Sequence, residues 1–416
     1  MNRKSLLASV GLFGALLFTA TAAPLILFSQ SIRQAEKSAV QSAPITIPFE
    51  LANRHIILKI TVNNSRPLAF VLDTGDKYAI VDLNLAREIG LKLDGPVRMH
   101  GAGAEVLTGA FVRDASFSIN GFEGFSQPVK MALPIRRLAA KLGQDFDGII
   151  GHDFITDFVV ELDYQTRKMK LHDKSKFSYA GPGQSVPVKI DSAGHPIVEA
   201  EVTPIGGAPI RGSFVVDIGS GLALALHSPI VTERKLLGPH AKTIKALGAG
   251  GAGGRVTGQL GRVAELKVGP FSIKEPITFF AEDKAGAFAN SDLVGNIGGQ
   301  VTNKFKVFLD YGRGRIILEP NSSFGKPFDR AFTGLSIEAL GEDYRTFRIT
   351  DVLDNSPASE NRLQRDDIII AIDGKPAMDF TLSKLNELFE RPVAYELTVK
   401  RGEQTMKVKL TPRRLV

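Results

Sequence analysis

The sequence predicts a mostly β chain: two homologous lobes followed by a third, smaller β-rich unit. Three observations carry this. Short alternating strands, such as Ile56-Ile57-Leu58-Lys59-Ile60-Thr61-Val62, end in turn residues like Asn63-Asn64-Ser65-Arg66-Pro67. The chain repeats itself: Asp73 maps to Asp217 at an offset of 144, and three further landmarks follow at 147. These are Gly101-Ala102-Gly103 onto Gly248-Ala249-Gly250, Ile149-Ile150-Gly151 onto Asn296-Ile297-Gly298, and Phe158…Leu162-Asp163-Tyr164 onto Phe305…Leu309-Asp310-Tyr311. Finally, the polar, Pro/Gly-punctuated stretch Pro320-Asn321-Ser322-Ser323-Phe324-Gly325-Lys326-Pro327 sets off a C-terminal unit of ordinary small-domain size.

Taken in order, residues 1–30 open with Arg3-Lys4 and an apolar run from Leu6 to Phe28. Ala20-Thr21-Ala22 offers a small-x-small cleavage site, but Leu25 to Phe28 stay apolar beyond it. The segment therefore reads as a signal peptide or a retained membrane anchor. Either places the body of the protein outside the cytosol, in a periplasm or on the periplasmic face of an inner membrane. Residues 31–44 form a polar tether. The first lobe is expected over 45–179, with a short helix from Asn84 closed by Gly90. A seam at Tyr179-Ala180-Gly181-Pro182-Gly183 leads into the second lobe, 184–320. In the C-terminal unit, 328–416, strands are expected around Gly334–Ile337, Phe347–Val352, Ile368–Ile372 and Tyr395–Val399. A helix over Leu382–Phe389 has Leu382, Leu385, Leu388 and Phe389 on one face.

Composition narrows the function. With 44% hydrophobic and 23% charged residues the chain is globular. It has no cysteine, which excludes disulfides, thiol nucleophiles and thiolate-bound metals. The net charge of +7 is scattered without interleaved aromatics, which argues against nucleic acid and for weak attraction to anionic surfaces. The seven histidines show no metal-ligand spacing. Gly248 to Gly253 formally fits a dinucleotide fingerprint, but Gly254-Arg255-Val256-Thr257-Gly258 is a poor helix start, so the stretch reads as a hairpin tip. His152, just after Gly151, is expected at a surface or edge, and Ser220 lacks the frame of a nucleophile elbow.

The chemistry concentrates where apolar strands run into an aspartate and a glycine: Phe70-Val71-Leu72-Asp73-Thr74-Gly75 and Phe214-Val215-Val216-Asp217-Ile218-Gly219. Lone buried carboxylates are costly, whereas two sharing a proton form an acid/base pair. With the apolar-apolar-Gly strands Ile149-Ile150-Gly151 and Asn296-Ile297-Gly298, and with duplication of the whole set, the region 45–320 resembles the pepsin/retropepsin superfamily of aspartic peptidases. The resemblance implies two β-barrel lobes in an acid-protease fold, with Asp73 and Asp217 catalytic. Thr74, Gly75, Ile218, Gly219 and Ser220 would support the catalytic loops. Gly101, Ala102 and Gly103, with Gly250 and Gly251 opposite, would be flap residues over a peptide substrate, and neither metal nor organic cofactor would be needed. Asp76 stands where the family has a small residue, as a third carboxylate that perturbs the dyad or faces solvent. Ile218 replaces the usual Thr, so one half of the reciprocal hydroxyl brace between the loops is expected to be missing.

The C-terminal unit resembles a PDZ domain. Gly334-Leu335-Ser336-Ile337 stands at the carboxylate-binding loop, followed by Ser356-Pro357-Ala358, Leu363, Asp367-Ile368-Ile369 and Ile372-Asp373-Gly374. This implies a peptide pairing beside the Gly334–Leu340 strand and against the Leu382–Phe389 helix, Leu385 included. The combined expectation is an exported aspartic endopeptidase with a peptide-recognition domain. The alternative is a non-enzymatic peptide-binding protein that has lost its dyad but keeps the PDZ groove.

Overall fold

The computed structural model describes residues 43–122, 125–238, 241–246, 250–328 and 330–416. The N-terminal segment expected to direct export, and Gly248, therefore lie outside the described residues. Among those described, no helix is long and apolar enough to cross a membrane.

Each lobe is organised on one central strand. In the first, Leu68–Leu72 pairs antiparallel with His55–Val62 and parallel with Gly148–Ile150, matching Phe70 to Gly148 and Leu72 to Ile150. All five of its side chains are buried, as expected for a central strand covered on both faces. In the second, Ile210–Asp217 pairs antiparallel with Pro196–Thr203 and parallel with Gly295–Gly298, matching Phe214 to Gly295 and Val216 to Ile297. The aspartates follow from this layout: each ends an apolar strand that has a glycine-ended neighbour running alongside.

A six-stranded antiparallel sheet joins the lobes. Its centre is Phe158–Asp163 against Phe305–Asp310, with Val160 opposite Leu309 and Leu162 opposite Val307. The two repeat copies found in the sequence are thus neighbours in space. Their inward residues Val160, Leu162, Val307 and Leu309 lie in one continuous core with Phe70, Leu72, Phe214 and Val216. At roughly 25 cal/mol per Å² of apolar surface, a shared core of this size resists separation of the lobes.

The expected short helix spans Leu83–Glu88; Asp82 caps it, accepting from the main-chain amides of Asn84 and Leu85. The C-terminal unit is a sheet in the order Leu335–Leu340, Thr346–Val352, Ile368–Ile372, Tyr395–Arg401, Gln404–Leu410. The last strand was not foreseen; its alternating Gln-Thr-Met-Lys-Val-Lys-Leu is mostly solvent-facing. Helix Leu382–Phe389 is capped by the Thr381 side chain and buries Leu382, Leu385 and Phe389. This unit has its own core around Phe347, Ile349, Leu397 and Val399. Both its ends are fastened to the second lobe by Arg262, whose guanidinium donates to the Val416 carbonyl at 3.1 Å and the Phe328 carbonyl at 2.9 Å.

Candidate active site

The two Asp-x-Gly loops meet. Thr74, fully buried, donates its hydroxyl to the Val216 carbonyl at 2.6 Å and accepts from the Ile218 main-chain N–H at 2.9 Å. One hydroxyl therefore satisfies two buried main-chain groups of the opposite loop. Ile218 offers no hydroxyl in return; it is buried in the common core. The brace is one-sided, with apolar packing in place of its second half.

Gly75 and Gly219 let the carboxylates approach. A Cβ built on Gly219 falls 2.0 Å from Asp73 Cγ, and one on Gly75 falls 3.3 Å from Asp217 Cγ. Each carboxylate packs against the glycine of the other loop, so a side chain at Gly219 would drive the pair apart. Gly75 N–H donates to Asp73 Oδ1 at 2.7 Å. On the other side the Ser220 main-chain N–H and the Asn296 carboxamide hold Asp217, Asn296 Nδ2 lying 3.2 Å from Asp217 Oδ2. Burial first, then the charges of Asp217 and Asp76, push Asp73 well above the ordinary carboxylate range. Burial also raises Asp217, against the lowering by the Ser220 N–H. The pair binds its last proton far more tightly than isolated aspartates do.

Asp76 does not simply face solvent. It is half-buried beside the pair and pushed up to about 6, by burial first and then by Asp217, while His195 draws it down. His195 comes from the second lobe, with Nδ1 2.9 Å from Asp191 Oδ2. His152 is also not a plain surface residue: it is half-buried and stacked on Tyr311 of the second lobe, with ring centroids 5.6 Å apart.

The hairpin tips expected as flaps interlock. Lys92–His100 and Val106–Arg113 form the first hairpin. Gly250–Gly251 and Gly254–Arg255 form a much shorter second one. Glu105 N–H donates to the Gly253 carbonyl at 2.8 Å, and a Cβ on Gly103 would fall 2.2 Å from the same oxygen. Ala102 packs beside Gly251, and a Cβ on Gly101 would fall 2.4 Å from Gly253 N. Arg137 clasps the junction, reaching Glu105 at 2.8 Å and the Ala252 carbonyl at 2.6 Å.

Gly334, Leu335, Ser336 and Ile337 lie at the start of the expected strand, Gly334 at a φ of 81° and Ser336 accepting from the Thr350 hydroxyl at 3.0 Å. Leu385 is fully buried under them in the domain core. The groove elements face a neighbour that the sequence did not announce. The first-lobe helix Ala139–Leu142 packs against the Leu335–Leu340 strand. The turn Asn53–Arg54 lies along the Leu382–Phe389 helix: Asn53 N–H donates to Ser383 Oγ at 2.6 Å, Asn386 donates to Asn53 Oδ1 at 3.1 Å, and Arg54 pairs with Glu390. Next to this turn, His55 and the Asn53 carbonyl stand within 4 Å of a Cβ built on Gly221, in the Asp217 loop.

Sequence reasoning missed Asn296, His227 and the Asn53–Arg54 turn. The signal for Asn296 was visible, since an Asn inside an apolar strand needs a partner. Among the described residues no cluster of His, Asp or Glu could hold a metal ion.

Comparison with known proteins gives two family matches. Residues 58–154 match the aspartyl protease family and residues 322–400 the PDZ domain family. The chain is mostly β, with an aspartyl protease match within its first lobe and a C-terminal PDZ domain. Two solved structures are similar in part. One is an aspartic proteinase from Irpex lacteus, 9% identical, covering 68% of this chain and 99% of that one, with a TM-score of 0.44. The other is the HtrA3 PDZ domain bound to a phage-derived ligand (FGRWV), 22% identical, covering 20% of this chain and 86% of that one, with a TM-score of 0.19. No curated protein matches.

Proposed function

We propose that this protein is an exported aspartic endopeptidase in which Asp73 and Asp217 activate one water between them. The observation that carries the reading is the reciprocal packing of each carboxylate against the other loop's glycine, locked by Thr74. Burial raises both carboxyls, which favours a pair that shares one proton. The ionised member takes a proton from water as it attacks the peptide carbonyl; the protonated member polarises that carbonyl and then protonates the leaving nitrogen. The dyad ends with one proton, as it began. The substrate is an extended peptide, and the interlocked tips at Gly103 and Gly253 part to admit it. The PDZ domain recognises a peptide or protein segment, in competition with the first-lobe helix Ala139–Leu142 now against its strand. Export is supported by Arg3-Lys4 and the Leu6–Phe28 run.

Incubation with a denatured protein mixture from acid to neutral pH tests the activity: the wild type should generate new peptide ends and Asp73→Asn none. Fractionation of the native host should place the protein outside the cytosol. Recovery as soluble cytosolic protein beginning at Met1 is the result against export.

A further inference from the structure

The duplication supplies an internal control for the dyad. Asn296 pairs with Val215 and Ala225 as Ile149 pairs with Val71 and Ile80, so it stands where the first lobe has a buried apolar residue. His227 and Asp82 correspond as well, each the N-cap residue of the helix that follows. Asp82 uses its carboxylate on the main-chain amides of Asn84, Leu85, Ile135 and Arg136. His227 makes no side-chain cap and turns instead to Asn296, with Nε2 2.9 Å from Asn296 Oδ1 and Nδ1 3.1 Å from the Asn290 carbonyl. A polar relay thus runs Asp217–Asn296–His227–Asn290, and Asp73 has no counterpart.

The donor and acceptor roles along this relay are constrained. His227 is 2% exposed, with the Phe288 ring edge-on at 5.7 Å, and burial lowers its pKa, which favours the neutral ring. The Asn290 carbonyl only accepts, which places the single ring proton on Nδ1. Nε2 is then a bare acceptor and takes the Asn296 NH₂. A half-turn of the carboxamide exchanges its two ends without moving any other atom. Its oxygen then faces Asp217 Oδ2, where only a protonated carboxyl satisfies it, and with Asp217 neutral the charge that raises Asp73 is gone. The opposite setting needs an imidazolium in an apolar site. Asp217 also faces Asp73, Asp76 and His195, whereas none of the groups acting on His227 is charged.

We propose that Asn296 and His227 are positioning residues that hold the dyad's single proton on Asp217 and leave Asp73 as the base. The proposal rests on the peptidase reading. Its test pairs His227→Gln with His227→Leu in the full-length protein. Glutamine reproduces the neutral ring, donating to Asn290 and accepting from Asn296; leucine fills the space and does neither. The basic limb of kcat/KM against pH should stay in place in His227→Gln. It should fall by about one pH unit in His227→Leu, as loss of one hydrogen bond to the protonated form dictates, with KM unchanged. An unmoved limb in His227→Leu, or equal shifts in both variants, overturns the proposal. Nitrogen NMR of the wild-type His227 ring decides the same point without any activity. A protonated Nδ1 with a bare Nε2 at neutral pH is expected, and a proton on Nε2 contradicts it. If the wild type cleaves no peptide, the peptidase reading fails while the ring spectrum still judges the relay.

Discussion

At the scale of single residues, Thr74 and Asp76 make opposite contributions. Thr74→Val removes the hydroxyl that serves both Val216 O and Ile218 N–H, leaving two buried main-chain groups unpaired. An unsatisfied buried group costs about 1–3 kcal/mol, so urea unfolding should show a loss of that order. Valine fills the space, so an unchanged midpoint would mean that the hydroxyl contributes nothing. Asp76 acts through charge. Its carboxyl is raised from 3.8 to about 6, so between those values the native state binds more protons than the unfolded chain. Its contribution to stability is full below pH 3.8 and is lost as the pH rises through about 6. Asp76→Asn should therefore stabilise the protein at neutral pH and change little at the acid end of that window. Equal midpoints at both pH values would contradict the burial of this carboxyl beside the dyad.

At the scale of elements, the loops, hairpins and helices in the sequence differ in how readable they were. The two Asp-x-Gly loops, the Leu382–Phe389 helix and the repeated strand pair were legible because local pattern and duplication specify them. The role of Asn296 was not, because its partners His227 and Asp217 lie 69 and 79 residues away. Nor was the contact of Asn53 with Ser383 and Asn386, which spans over 300 residues and joins two polar surfaces. Nothing in an Asn-Arg turn announces a partner in the sequence, although both residues adopt positive φ, 44° and 73°. That turn makes a measurable link. Ser383→Ala removes the acceptor of the Asn53 N–H on the PDZ helix, so amide hydrogen exchange should rise at residues 53–55. Exchange confined to the PDZ domain would show that the seat is not held by this bond. The flap tips yield a second prediction. Gly103→Ala drives a Cβ into the Gly253 carbonyl, so the hairpins should separate and exchange at Glu105 N–H should accelerate. Unaltered protection of Glu105 would mean that the tips do not depend on this contact.

At the scale of the whole molecule, the lobes are one body and the PDZ domain bridges them. The core runs continuously through the central six-stranded sheet, and Arg262 of the second lobe clamps both ends of the PDZ domain. The PDZ helix and strand meanwhile rest on the first lobe. The duplication is therefore complete in architecture and incomplete in chemistry. Thr74 faces Ile218 rather than a second hydroxyl, and Asn296 takes the place that Ile149 holds in the first lobe. The central claim is that two such unlike loops form one catalytic unit, and comparing single and double dyad variants tests it most directly. Asp73→Asn and Asp217→Asn are nearly isosteric, and each should keep the fold. Each should lose peptide cleavage by at least the factor of about 10²–10⁴ that acid/base catalysis supplies. The double variant should be no worse than either, because residues acting as a unit are non-additive. Full cleavage by Asp217→Asn, with Asp73→Asn inactive, would show that the second loop has left the chemistry.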